Sequence, residues 1–139
     1  MNAEPLSGPT DVPWFKVDDT LHAHPKARRA GKSAMGLWAL AGSYCMAYKL
    51  DGQIDSEWIA TQRGRAEAVK LCNAKFWHAP GHDCEECPQP IDPCGFVFHD
   101  WFDNQPSAEE IERDREATRD RQRKSREKRR KAREESVDA

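Results

Sequence analysis

His78, His82, Cys84 and Cys87 fall within ten residues, spaced H-x3-H-x-C-x2-C, and no other feature limits the fold of this chain so tightly. Two thiolates separated by two residues converge from a single tight turn. Imidazole nitrogen and thiolate sulfur together are a donor set that Zn²⁺ takes in a closed tetrahedron. Pro80 and Gly81 supply the turn that folds the two imidazoles back over the thiolates. The pattern predicts a structural zinc knob, because four protein ligands leave no coordination position open for chemistry. Cys94 is a rival fourth ligand, in place of His78 or His82. A Cys84–Cys87 disulfide would strain so short a loop and leave both histidines without a role. A surface loop without metal is the remaining alternative.

The rest of the chain is one small domain with a solvated extension. Of 139 residues, 33% are charged and 37% hydrophobic. No stretch is long and apolar enough to span a membrane, and the first residues lack the charged start and apolar run of a secretory leader. Five cysteines, three of them beside histidines, fit a reducing bacterial or host-cell cytoplasm and a metal better than a disulfide framework. Cys45 and Cys72 read as small core residues, as do the aromatics Trp38, Trp58, Trp77 and Trp101.

Charge divides the chain. Residues 1–106 carry a net charge of −4, whereas Arg119–Arg133 holds ten basic residues against Asp120 and Glu127. Residues 1–12, rich in Pro, Gly, Ser and Asn, are expected to be disordered. Residues 13–106 are expected to form the domain, with the knob at 76–95. Within it, Trp14–Val17 reads as a strand, and 24–30 as a short helix opened by Pro25 and closed by Gly31. Ser33 is expected to cap a central helix running to about Lys49, apolar on more than one face. Asp51-Gly52 turns the chain into a minimal strand at Gln53-Ile54. A short helix capped by Asp55 or Ser56 follows to Thr61, and another from Ala66 to about Lys75. Phe76–His78 and Gly95–Asp100 then pair as an antiparallel hairpin with the knob at its tip. His24 reads as a turn residue before Pro25. His22 has no assigned role, and His99, beside Asp100, reads as a strand residue rather than a ligand.

This order of elements is that of a winged helix-turn-helix in an α+β domain, with 66–75 as recognition helix and the hairpin as a zinc-pinned wing. Residues 107–139 then form a charged arm, helical or disordered. Ser107 and Glu110 fit a capping box, acidic residues come early and basic ones late as the helix dipole favours, and no heptad seam supports a coiled coil.

Trp14-Phe15-Lys16-Val17-Asp18-Asp19, Gly36–Tyr44, Phe76–Cys87, Phe98-His99-Asp100-Trp101 and the charged tail together resemble a family of small helix-turn-helix proteins of actinobacteria and their phages. More distantly they are similar to the N-terminal winged-helix domains of phage replication initiators and replisome organisers. The resemblance spans about residues 14–135 and implies DNA binding in replication or transcription. At Lys75 the chain departs from it, because relatives often end the recognition helix there with Gly.

Arg63, Arg65, Lys70 and Asn73 are the candidate duplex contacts of that helix, since Arg reads guanine and Asn adenine. Asp83, Glu85 and Glu86 in the wing, and the net charge of the domain, oppose phosphate. The arm supplies the compensating cations: Arg119, Arg121, Arg123, Lys124, Arg126, Lys128, Arg129, Arg130, Lys131 and Arg133 are expected to grip the nucleic-acid backbone. Two readings compete with this one. The arm can be a solvated interaction segment, and the domain a protein–protein adaptor for a replisome or transcription component. No Ser-His-Asp set, phosphate loop or deaminase H-x-E/P-C-x-x-C pattern is present, so an enzyme is not expected. A histidine–metal nuclease is the one enzymatic reading left open.

Overall fold

A computed structural model describes residues 14–137. One compact unit runs through Ser107, and a second contains the C-terminal helix. The first unit is α+β: a short 3-10 turn, α1 (Pro25–Ala30), α2 (Lys32–Tyr48), β1 (Gln53–Ile54), α3 (Ser56–Thr61), α4 (Arg65–Asn73), β2 (Trp77–His78), β3 (Phe96–Phe98) and α5 (Trp101–Asn104).

Local chemistry sets most of these boundaries. Pro25 opens α1, and the His24 ring accepts a hydrogen bond from the Lys26 amide at 3.1 Å. Gly31, at φ +87°, lets α1 stop and α2 begin without a linker. Ser33 does not cap α2: helix N-termini are capped by the residue outside the first turn, here Gly31, and the Ser33 hydroxyl reaches across to Glu67 of α4 instead. Asp55 caps α3 by accepting from the Trp58 amide at 2.9 Å. Helix α4 ends in a Schellman motif. The Phe76 amide donates to Leu71 O, the Lys75 amide donates to Cys72 O, and Lys75 holds the left-handed position at φ +67° that glycine fills most cheaply.

The helices α2 and α4 pack against each other and over the sheet. Ala34, Leu37, Ala41 and Cys45 form the buried stripe of α2, and Ala68 and Leu71 that of α4. Gly64 allows the approach, since a Cβ there would lie 2.9 Å from the Leu37 methyls. The opposite face of α2 is open to solvent, with Leu40 at 55% exposure, so this helix is apolar all round yet buried only on one side.

All three strands are antiparallel, with β3 in the middle: Gln53 and Ile54 pair with Val97 and Phe96, and Trp77 and His78 with Phe98 and Val97. Every β3 side chain is buried, as expected of a central strand covered on both faces. Trp14–Val17 is not a strand. The Gln105 side chain takes the place of a neighbouring strand, accepting from the Lys16 amide at 3.0 Å and donating to the Lys16 carbonyl at 2.7 Å. This clamp seats Phe15 between Trp38, Phe98 and Trp101, with ring centroids 4.9–6.0 Å apart.

Helix α6 (Ala108–Val137) is 30 residues long and continuous through the basic segment, so of the two states expected of the arm, helical or disordered, the described residues take the helical one. Asp120 pairs with Arg123 and with Lys124, support of the kind that i,i+3 and i,i+4 pairs give an exposed helix. The predicted disordered segment, 1–12, lies outside the described residues.

Candidate metal centre

The loop between β2 and β3, residues 79–95, is tied down by polar side chains rather than by an apolar core. The Gln53 amide donates to Gln89 O and accepts from the Ile91 amide. Gln89 bridges Gly81 N and His82 O, and Asp92 accepts from both the amide and hydroxyl of Ser56. These ties present Cys84 and Cys87 beside the ends of β2 and β3.

Four side chains converge there: His78 at the end of β2, Cys84 and Cys87 in the loop, and His99 just past β3. Their ligand atoms all lie within 4.8 Å of one another, a group that can hold a metal ion. Nδ1 of His99 is the hub, 2.8 Å from His78 Nε2, 3.3 Å from Cys87 Sγ and 3.8 Å from Cys84 Sγ. Tetrahedral bonds of about 2.0–2.3 Å to nitrogen and sulfur place ligand atoms roughly 3.3–3.8 Å apart, so the observed separations bracket a closed N2S2 tetrahedron.

The surroundings orient these ligands. Nε2 of His99 lies 2.8 Å from Oδ2 of Asp100. Its proton therefore goes to the carboxylate, and Nδ1 turns a lone pair toward the other three side chains of the group. A carboxylate behind a ligating imidazole is a recurrent outer shell of metal sites. The Asp100 amide donates to Cys87 Sγ at 3.5 Å. Burial, reinforced by His82 and His99, pulls the His78 imidazole down to about 4, which keeps it neutral and able to ligate near pH 7. Burial also holds the Cys87 thiol above its ordinary value, so its thiolate is costly without a cation beside it.

His82, expected among the ligands, is not in this group. Both of its ring nitrogens serve the loop: Nε2 donates to Pro88 O at 2.8 Å, and Nδ1 accepts from the Cys84 amide at 3.1 Å. Its ring stacks on His78 with centroids 4.4 Å apart. Thus it shapes the turn that carries Cys84 rather than offering a lone pair. Cys94 is exposed and also stands outside the group; its amide is taken by Asp92.

His99 is the residue that spacing did not reveal. It lies 21 residues from His78 in sequence. The register pairs His78 with Val97, and the ladder continues with the His99 amide bonded to Phe76 O at 2.8 Å. Residues 97 and 99 share a face of the strand, so His99 sits diagonally across from His78. The available signal was the dipeptide His99-Asp100 in the returning strand, a ligand followed by its own carboxylate.

The candidate duplex contacts fall in two elements, α4 with the turn before it and α6. Arg63 occupies the turn before α4 at φ +51°, and Arg65, Lys70 and Asn73 are exposed on α4 with Ala66 and Val69. The ten cations from Arg119 to Arg133 are all exposed on α6. Among the described residues, no helix is long and apolar enough to cross a membrane. No family model, curated protein or solved structure matches this chain.

Proposed function

We propose that this chain is a zinc-stabilised winged-helix protein that binds duplex DNA. The observation that carries the reading is topological. A helix pair joined by the three-residue turn 62–64, containing Gly64, stands between β1 and β2, and the sheet order is β1-β3-β2. In that order α4 is the recognition helix and the 79–95 loop is the wing. The outward face of α4 carries Arg65, Lys70 and Asn73, side chains able to hydrogen-bond base edges and phosphates.

Zinc is the metal that best suits two imidazoles and two thiolates, and four ligands make its role structural. It fixes the wing, whose loop holds few apolar contacts of its own. The basic arm adds sequence-independent grip on the backbone. A role in replication or transcription in a bacterium or phage follows from the sequence resemblance.

Anisotropy of a labelled duplex across a salt series tests this reading. Arg65→Ala with Lys70→Ala is expected to weaken binding by roughly 10–100-fold in total while leaving the melting temperature unchanged. Unchanged affinity would remove α4 as the reading helix. A protein–protein adaptor is the second reading, favoured by one feature: α2 carries no charged side chain from Ser33 to Tyr48, yet Leu40, Ala47 and Tyr48 are exposed. Absence of duplex binding even at low salt is the outcome expected of the adaptor.

A further inference from the structure

Helix α6 sorts its charges by face. At alternating steps of four and three residues, Arg119, Arg123, Arg126, Arg130 and Arg133 fall on one stripe, and all five are arginine. The neighbouring stripe, one residue on, runs Asp120, Lys124, Glu127, Lys131, Glu134 and alternates in sign. Lys124 Nζ lies 3.4 Å from Asp120 within that stripe. On the arginine stripe, Arg119 reaches back to Glu112 at 4.0 Å and Arg123 to Asp120. Among the described residues, Arg126, Arg130 and Arg133 make no ion pair.

Like charges at i,i+3 and i,i+4 oppose helix formation, so five in succession on one face work against the element that carries them. A flexible polycation has no reason to sort arginine from lysine by face. A helix that lies against a polyanion does: the guanidinium fork matches phosphate oxygens bidentately, and the ammonium does not. At about 1.5 Å rise per residue the stripe is roughly 21 Å long, with a guanidinium every 4.5–6 Å or so. The stripe has no apolar anchor of the kind that dominates protein–protein interfaces.

We propose that α6 docks as a formed helix along the phosphate backbone of duplex DNA, through the Arg119–Arg133 stripe and not through its total charge. The inference rests on the nucleic-acid reading above for the class of its partner, but not on α4.

A charge-conserving permutation tests it. Arg119→Asp with Asp120→Arg and Arg126→Glu with Glu127→Arg leaves the composition and net charge of the full chain intact, and places two acids on the stripe. Circular dichroism checks that the helix persists, and the probe is a random 30-base-pair duplex. The expected result is a binding loss of roughly 10–100-fold at 0.1 M salt, with the slope of log K against log salt shallower by about 2. Unchanged affinity and slope, together with loss on deleting 119–133, would mean a flexible polycation and overturn the proposal while sparing the DNA reading. An intact chain that fails to bind duplex at 50 mM salt overturns both. Tighter binding to poly-glutamate than to the duplex makes the partner an acidic protein and overturns the proposal, whatever α4 does.

Discussion

Replacing His99 with alanine separates the candidate metal group of the fold from the one that spacing suggests. The substitution removes the imidazole whose Nδ1 lies 2.8–3.8 Å from the other three ligand atoms. Structural zinc contributes about 10–16 kcal/mol of apparent binding free energy in small domains, so an equal share for one of four ligands is roughly 2.5–4 kcal/mol. At about 1.4 kcal/mol per tenfold, His99→Ala is expected to weaken zinc binding by roughly 10²–10³-fold. His82→Ala removes two hydrogen bonds to the loop backbone, each worth about 0.5–1.5 kcal/mol. Those bonds support the loop with and without metal, so most of that loss cancels in the binding equilibrium, and the affinity change is expected to stay within about tenfold. Competition with a chromophoric chelator measures both variants. Cobalt in place of zinc reports whether the two-thiolate tetrahedral spectrum survives, as it is expected to in His82→Ala and not in His99→Ala. The reverse ranking, with His82→Ala the more damaging, would falsify the assignment of the group and restore the local H-x3-H-x-C-x2-C set.

Three further outcomes are expected. Asp100→Asn keeps a residue tolerant of the left-handed backbone at φ +54° but removes the carboxylate behind His99, so zinc affinity is expected to fall about 10–100-fold with the metal-free melting temperature nearly unchanged, both read by calorimetry. Alkylation of the folded protein reconstituted with zinc, at pH 8, is expected to label exposed Cys94 first and to spare Cys45, whose thiol burial pushes up to about 12, and Cys72, pushed up to about 11. Chelator is expected to add Cys84 and Cys87, and prior labelling of those two would argue against their ligation, with mass spectrometry of peptides reading the order. Gly42→Ala puts a Cβ 2.3 Å from the Phe15 ring, which Trp38, Phe98 and Trp101 keep from retreating. Thermal denaturation is expected to show a loss of about 1–3 kcal/mol, and an unchanged melting temperature would mean that Phe15 is not seated as described.

Much of the local architecture is legible in the chain because it depends on neighbours in sequence. Pro25 and Gly31 bound α1, Asp55 caps α3, Asp51-Gly52 turns into β1, and the buried stripes of α2 and α4 on either side of that turn follow from helical spacing. Cys84 and Cys87, with His78 near them, were legible as candidate ligands for the same reason: a C-x2-C turn needs no partner to bring its thiolates together. What failed were assignments that depend on distant residues. Ser33 hydrogen-bonds across to α4, and Trp14–Val17 is held by the side chain of Gln105 rather than by a strand.

The fourth metal position is the sharpest instance. Sequence places His82 two residues from Cys84, and proximity along the chain favours it. The fold spends both His82 nitrogens on the turn and brings His99 across β3 to complete the group. A histidine is a ligand only where its lone pair points, and that direction is set by strand register and by the hydrogen bond on its other nitrogen. The arginine stripe of α6 lies at the other limit. Its residues are all in the sequence, but they become one face only because the segment is a continuous helix. Composition and local spacing therefore determined the helices, the turns and a thiolate pair. The tertiary structure alone decided which imidazole joins that pair, because antiparallel pairing fixes neighbours across the sheet that no count along the chain contains.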